Sequence, residues 1–215
     1  KRFPANHYFE WLKLFMLPLV CQWNESDCVR FYRRHLKMAQ ERYGDRKVIE
    51  SGREKYRIAW DGIIIWHKVD LYRKILAERG AYVVADSYTI SFAIRKKPAA
   101  PTIKETLRQM ARELMYKVPY TMNLDDRIKY FDQLIVDFDL DGIILHANQS
   151  CRPQSTGLQD LRDAIVKKHG IPVLMLNTDH CDPRAYAEGP ITTRIDGFIE
   201  MMEANRNKKA RAAQA

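Results

Sequence analysis

The chain has 215 residues, 46% of them hydrophobic and 29% charged, and carries a net charge of +9. This composition is typical of a folded globular protein, and the length allows one large domain or two small ones. No apolar run approaches the ~20 residues that cross a bilayer, since the longest, residues 12–20, contains Lys13 and Pro18. No secretory signal is visible either, so we expect a cytoplasmic protein without a membrane partner.

Part of the positive charge lies at the end of the chain. Basic residues follow Glu203 with no acid among them: Arg206, Lys208, Lys209 and Arg211. Such a run is usually a solvated terminus, and it predicts a basic, disordered tail over residues 206–215. No zinc-finger spacing, RNA-binding aromatic signature or KH loop accompanies it, so a nucleic-acid partner is not expected. A non-catalytic basic α/β module that binds nucleic acid or a protein is the alternative from another class.

The first quarter of the chain differs in pattern from the rest. Apolar residues at helical spacing predict helices over residues 5–20 and 25–43. The polar stretch 44–55 marks a boundary. We therefore predict a helical segment, residues 1–50, followed by a domain over residues 51–205.

That domain alternates strands with helices. Continuous apolar runs predict strands at 56–60, 81–85, 142–146 and 171–176, with a further apolar run at 63–66. Helices are predicted at 68–79, 102–116, 124–138, 157–169 and 190–204. Strands without polar alternation, separated by amphipathic helices, indicate an α/β fold: a parallel sheet with helices on both faces, preceded by the helical segment.

Polar residues cluster where the last two predicted strands end. The sequence reads ANQSCRP over residues 147–153 and NTDHCDPR over residues 177–184. Within the second stretch, Arg184 is predicted to pair with Asp179. In parallel sheets, ligands bind beyond the carboxyl ends of the strands, where helix N-termini also point. This placement is the main indication of a functional site.

Cys151 is the strongest candidate for chemistry because it follows a strand and precedes a helix. Helix N-terminal amides and the neighbouring Arg152 favour the thiolate, which is the form that attacks electrophiles or ligates iron. Asn148, Gln149 and Ser150 offer further hydrogen bonds to such a centre. A small apolar filler is the alternative interpretation, since free cysteines are often buried.

For the other candidate site residues, the sequence favours structural roles. The cysteines form no CxxC pair and no zinc-binding spacing: Cys21, Cys28, Cys151 and Cys181. Cys181 lies among acidic residues, which disfavour a thiolate, and His146 ends an apolar strand, as core histidines often do. Trp60 and Trp66 are either core residues or the walls of a flat acyl pocket. No GxGxxG or GxxxxGKS/T motif is present, so the chain is not expected to bind ATP or a dinucleotide itself.

Several segments together resemble one enzyme family. They read DGIILHANQSCRPQSTGLQDLRDAI, GIPVLMLNTDHCDPRAY and TRIDGFIEMME, and are similar to the C-terminal signature of the benzoyl-CoA reductase/2-hydroxyacyl-CoA dehydratase family. Residues 56–88 resemble the earlier part of the same domain, and KVPYTMNLDDRI the linker helices. The Asn-x-Ser-Cys-Arg-Pro phrase that ends at Pro153 is the most distinctive element.

The resemblance implies the C-terminal part of an iron–sulfur enzyme subunit. Subunits of this family pair with a homologous sister subunit, and each holds a [4Fe–4S] cluster through three cysteines. A separate ATP-hydrolysing iron–sulfur activator delivers a low-potential electron for radical chemistry on an acyl-CoA substrate. Cys151 matches a ligand position, with Ser150 next to it as a hydrogen-bonding neighbour of the cluster. The remaining ligands are expected upstream of Lys1, so the chain alone should not hold a complete cluster.

Two reactions are compatible with this resemblance, and no catalytic residue is assigned for either. The Asn148–Pro153 phrase and the two tryptophans favour reduction of an aromatic acyl-CoA, as in benzoyl-CoA reductase. Dehydration of a 2-hydroxyacyl-CoA is the alternative.

Overall fold

A computed structural model of the protein describes residues 25–45, 54–89, 101–117 and 122–212. Its α-helices are α1 Glu25–Asp45, α2 Ile103–Lys117, α3 Leu124–Phe138, α4 Arg152–Ser155, α5 Leu158–His169 and α6 Glu188–Ala212. The helix predicted over residues 5–20 and the boundary predicted near residue 50 lie outside the described residues. None of the helices in this part of the chain is long and apolar enough to cross a membrane.

Parallel strands form one sheet in the described part of the chain. They are β1 Tyr56–Asp61, β2 Ala81–Asp86, β3 Gly142–Asn148 and β4 Val173–Thr178. Their order across the sheet is β2-β1-β3-β4. Helical segments connect successive strands, because parallel neighbours need a crossover rather than a tight hairpin. The predicted parallel α/β fold is confirmed.

Helical elements cover both faces of the sheet, as the continuous apolar strands predict. One core joins the strands to α6 and to residues 66–79: Tyr56, Ile58, Trp60, Leu71, Leu76, Ile144, Leu176, Ile195 and Phe198. The other core joins them to α3 and α5: Ala59, Phe131, Leu134, Ile143, Leu145, Leu158, Leu161 and Ile165. Each strand therefore contributes side chains to both cores, which explains the absence of polar alternation in its sequence.

The strand order reverses at β1. Its sequence neighbour β2 lies on one side of it, and β3 lies on the other. In open parallel sheets, such a switch point opens a crevice between the carboxyl ends of the two diverging strands, and ligands bind there. Here those ends are Asp61 of β1 and Asn148 of β3.

The connection from β1 to β2 departs from the prediction. The apolar run at residues 63–66 lies outside the sheet, because Gly62, with a φ of 101°, turns the chain away from it. Ile64 and Ile65 are nevertheless fully buried, which accounts for the apolar run. Residues 66–79 are a π-helical turn between two 3₁₀ turns rather than one α-helix.

The last helix extends into the segment predicted to be a disordered tail. Helix α6 continues to Ala212. Arg206 Nη1 donates to the Lys55 carbonyl at 2.6 Å, and its guanidinium lies 5.6 Å from the centre of the Tyr56 ring. These contacts attach the start of the basic segment to β1, so this segment is helical rather than disordered as far as Ala212.

Candidate functional site

Cys151 lies just beyond the carboxyl end of β3. Its amide donates to the Asn148 carbonyl at 3.2 Å, and its own carbonyl accepts from the Ser155 amide at 3.2 Å. It directly precedes the four-residue helix α4, which has Pro153 in its first turn. The cysteine is unpaired and half-buried. This turn presents a thiol at the edge of the sheet where ligands of parallel sheets bind.

Gln154 fixes the turn after Cys151 through hydrogen bonds in the protein interior. Its side chain is fully buried. Its Nε2 donates to the His146 carbonyl at 2.8 Å, and its Oε1 accepts from the Ile63 amide at 3.4 Å. The side chain therefore fills the space between the ends of β1 and β3. A Cβ on Gly62 would overlap Gln154 Nε2, so the close approach of the two loops requires a glycine.

A buried ion pair joins the strand exits to α3. Asp61 Oδ2 accepts from Arg127 Nη2 at 2.9 Å, and Asp61 Oδ1 accepts from Ser87 Oγ at 2.6 Å. Arg127 Nη1 lies 3.3 Å from the Thr156 carbonyl, in the segment after Cys151. Burial raises the pKa of the Asp61 carboxyl, while Arg127 and Ser87 counteract that rise. One guanidinium thus ties the exits of β1 and β3 together.

Asp179 joins the exit of β4 to the turn that carries Cys151. Its Oδ2 accepts from the Ser150 amide at 3.0 Å. Its Oδ1 accepts from the amides of Cys181 and Asp182 at 2.8 Å and 2.9 Å. The carboxylate is buried, and hydrogen bonding, first with the side chain of Ser150 and then with the amides of Cys181 and Asp182, holds the pKa of Asp179 well below its usual range. A buried charge therefore fixes the residue next to Cys151.

His180 and Asn148 bring the same two loops into side-chain contact. Asn148 Nδ2 lies 2.9 Å from His180 Nδ1, and Asn148 Oδ1 accepts from the His180 amide at 3.3 Å. Ser150 Oγ lies 3.2 Å from the same ring nitrogen. Asn148 is buried, whereas the His180 side chain is 28% exposed. The group forms a polar cluster next to Cys151 at the carboxyl edge.

Several of the other predicted residues have structural roles. His146 is fully buried, its Nδ1 donates to the Ile63 carbonyl at 2.7 Å, and its Nε2 accepts from Thr178 Oγ1 at 2.8 Å. Burial lowers its pKa, so it is a neutral core histidine, as predicted. Trp60 is also fully buried and forms no pocket wall.

The structure also gives the positions of the remaining thiols and of the ion pair of Arg184. Cys181 is exposed, and Cys28 is half-buried on α1. Cys21 lies outside the described residues. Arg184 was predicted to pair with Asp179, but its guanidinium pairs with Asp182 at 2.7 Å.

Sequence reasoning missed Arg127, although a signal was present. Arg127 precedes Phe131 by four residues and Leu134 by seven, so it lies on the apolar stripe of α3. A charged residue at a buried helical position requires a partner, and Asp61 supplies it.

The described residues contain no group of three or more metal-binding side chains arranged to hold a metal ion. Of the free cysteines in that part of the chain, Cys151 lies in a turn whose position is fixed by buried hydrogen bonds. Such a residue fits one corner of an iron–sulfur cluster, and further thiolates would have to complete it.

The family model described as 2-hydroxyglutaryl-CoA dehydratase, D-component, matches residues 4–202. The chain belongs to this family. The match confirms the resemblance found in the sequence. It also includes the sheet, the turn at Cys151 and most of α6.

Individual members of the dehydratase family resemble the chain at similar levels. It is 28% identical over 159 residues to the alpha subunit of (R)-2-hydroxyglutaryl-CoA dehydratase from Acidaminococcus fermentans, covering 74% of the chain and 31% of the relative. For the alpha subunit of (R)-phenyllactyl-CoA dehydratase from Clostridium sporogenes, identity is 27% over 191 residues, 89% of the chain and 45% of the relative. For a subunit of benzoyl-CoA reductase from Thauera aromatica, identity is 25% over 154 residues, 72% of the chain and 35% of the relative. The chain thus spans less than half the length of these relatives.

Proposed function

We propose that this chain is part of the iron–sulfur subunit of a 2-hydroxyacyl-CoA dehydratase, with Cys151 as a ligand of its cluster. The observation that carries the proposal is the position of Cys151 at the end of β3, next to the switch point of a family-matched α/β domain. A thiolate is the ligand that iron–sulfur clusters use most, and strand exits supply backbone amides that tune them.

The described residues supply only one ligand of the proposed [4Fe–4S] cluster, Cys151. The other thiolates would come from sequence beyond this chain, because the relatives are longer than the chain. When bound, the cluster would supply single electrons at low potential. The chain's own residues hold the ligand: Asp179 fixes Ser150, and Gln154 fixes the turn that follows Cys151.

The proposed assembly has two further protein components. A homologous sister subunit would pair with this one, and the names of the relatives, which describe them as single subunits of larger enzymes, support such a pairing. An ATP-hydrolysing iron–sulfur activator would deliver the electron, as the family resemblance implies. No phosphate-binding glycine-rich motif occurs in this sequence, which supports a separate site of ATP hydrolysis.

Dehydration is favoured over ring reduction for two reasons. Trp60 is fully buried in the core, so it cannot stack on a planar substrate, and Trp66, which is half-buried, packs against the same core. The relatives named dehydratases also include the alpha subunit of (R)-2-hydroxyisocaproyl-CoA dehydratase from Clostridioides difficile, which aligns with 89% of the chain. Reduction of an aromatic acyl-CoA remains the second candidate because the benzoyl-CoA reductase subunit is also similar.

The test supplies the complete anoxic enzyme with its activator, ATP and a strong reductant. An (R)-2-hydroxyacyl-CoA is offered in one vessel and benzoyl-CoA in another. Dehydration predicts an enoyl-CoA product, and the electron supplied by the activator is returned after each turnover rather than consumed. A cyclic diene product formed with two electrons per turnover would instead establish the reductase. Turnover of neither substrate would contradict the proposed function.

A further inference from the structure

His180 holds a defined protonation pattern because of Asn148. The backbone amide of His180 can only donate, so the Asn148 side-chain oxygen faces it, at 3.3 Å. The Asn148 amide nitrogen consequently faces His180 Nδ1, at 2.9 Å, and donates to it. An accepting Nδ1 carries no proton, so the neutral ring carries its proton on Nε2.

Nearby groups agree with this tautomer. Ser150 Oγ also lies within donating distance of Nδ1, at 3.2 Å. Asp179 Oδ1, which would favour a proton on Nδ1, is 3.6 Å away and accepts from two backbone amides instead. Of the two groups nearest Nδ1, the Asn148 amide can only donate, and it sets the tautomer. The Ser150 hydroxyl is compatible with it, because this group can donate to Nδ1 or to Asn148 Oδ1, which lies 3.4 Å away.

The opposite side of the ring remains available. Among the described residues, His180 Nε2 has no hydrogen-bond partner, and the side chain is 28% exposed. The imidazole is not needed to hold this loop in place, because the Asn148 oxygen and Asp179 already bind the backbone amides of residues 180–182. A buried amide that orients a partly exposed imidazole is the arrangement that gives a functional histidine one tautomer and one direction.

We propose that His180 donates a hydrogen bond from Nε2 to the carbonyl oxygen of the acyl-CoA thioester. The inference rests on the proposed function, which supplies the substrate class. His180 contacts Ser150, the residue before Cys151, so the donor and the thiol flank one turn at the carboxyl edge. A thioester carbonyl that gains an electron becomes negative at oxygen, and an oriented donor is most useful at that atom.

The chain allows a matched pair of variants. In His180→Asn, the side-chain amide reaches the position of Nδ1, so it keeps the contact with Asn148 but lacks a donor at the position of Nε2. In His180→Gln, the longer amide restores a donor close to the position of Nε2. A purely structural role of the ring predicts that the Asn variant performs at least as well as the Gln variant.

The experiment measures binding to the assembled enzyme without activator or reductant. Isothermal titration calorimetry compares butyryl-CoA with S-butyl-CoA, in which a methylene replaces the carbonyl. One hydrogen bond predicts a preference of about tenfold for the thioester in the wild type. We expect the preference to disappear in His180→Asn and to return in part in His180→Gln.

The outcomes distinguish a failure of the inference from a failure of the proposed function. Binding of butyryl-CoA with the same preference in wild type and His180→Asn would overturn the role of His180 and leave the proposed function intact. Equal binding of both compounds to the wild type would do the same. Binding of neither compound to the wild type would overturn both claims. The ring ¹⁵N shifts of His180 in the chain give an independent readout, and a proton on Nδ1 rather than Nε2 would contradict the inference.

Discussion

Asp61 at the end of β1 and Arg127 on α3 form an ion pair of 2.9 Å, and both side chains are almost completely buried. Their pairing spans 66 positions in the sequence. The same guanidinium approaches the Thr156 carbonyl at 3.3 Å. The position of the turn at Cys151 therefore depends on a contact between a strand end and a helix on one face of the sheet.

Removing the Arg127 charge should destabilise the fold strongly. Arg127→Met leaves the buried Asp61 without its cation, which typically costs about 3–5 kcal/mol. Urea denaturation of the chain measures the change in the free energy of unfolding. Lys129→Met is the control, because Lys129 is on the same helix in an exposed ion pair and should change stability by less than about 0.5 kcal/mol. Similar losses in the two variants would contradict the role given to the buried pair.

Gly62 should tolerate no side chain. In Gly62→Ala the new Cβ overlaps Gln154 Nε2 at a φ of 101°, so both strain and overlap oppose folding. We expect a loss of more than about 2 kcal/mol in the free energy of unfolding. Gly170→Ala separates the two effects, because Gly170 also has a positive φ but no atom within 4 Å of the added Cβ. It should lose only about 1 kcal/mol, and a loss equal to that of Gly62→Ala would refute the close-packing explanation.

Asp179 should contribute stability that disappears in acid. Its pKa is lowered in the folded state, so its contribution is complete above the unfolded pKa of about 4 and is lost as the pH falls below that value. Asp179→Asn should cost about 1–3 kcal/mol near neutral pH, because charged hydrogen bonds to the Ser150 and Cys181 amides weaken.

The measurement for Asp179 is a series of urea titrations between about pH 3 and pH 7. The stability difference between wild type and Asp179→Asn should stay constant from pH 7 to about pH 5 and shrink as the pH falls below about 4. Asp163→Asn serves as the control, because the Asp163 side chain is 61% exposed. A difference that stays constant with pH would show that the Asp179 charge does not stabilise the two loops.

The sequence predicted those features that depend on short stretches of chain. Continuous apolar runs located β1, β2, β3 and β4 to within two residues at either end. Asn123 caps α3 by accepting from the Asp126 amide, and Gly170 ends α5 with a φ of 62°. The strand–turn–helix pattern around Cys151 also followed from local sequence.

The features that were missed depend on contacts between distant residues. Nothing near Gly62 in the sequence indicates that Gln154 will pack on it, and nothing near Asp61 indicates Arg127. The tautomer of His180 depends on Asn148, which reaches it from the neighbouring strand exit. The prediction that Arg184 pairs with Asp179 was wrong, because Asp182, two residues away, binds the guanidinium at the start of the short 3₁₀ turn Pro183–Ala185. Sequence alone thus located the edge that carries the candidate site but not the polar contacts that hold it.

The most direct test of the proposed function is the iron content of Cys151→Ser in the anoxically purified, assembled enzyme. A serine hydroxyl is a poorer ligand for cluster iron than a thiolate, so the variant should lose most of the iron assigned to this subunit. Cys181→Ser is the matched control, because Cys181 is an exposed cysteine at the next strand exit and should leave the iron unchanged. Loss of iron in Cys151→Ser alone is the predicted result, and equal iron in wild type and Cys151→Ser would contradict the central claim.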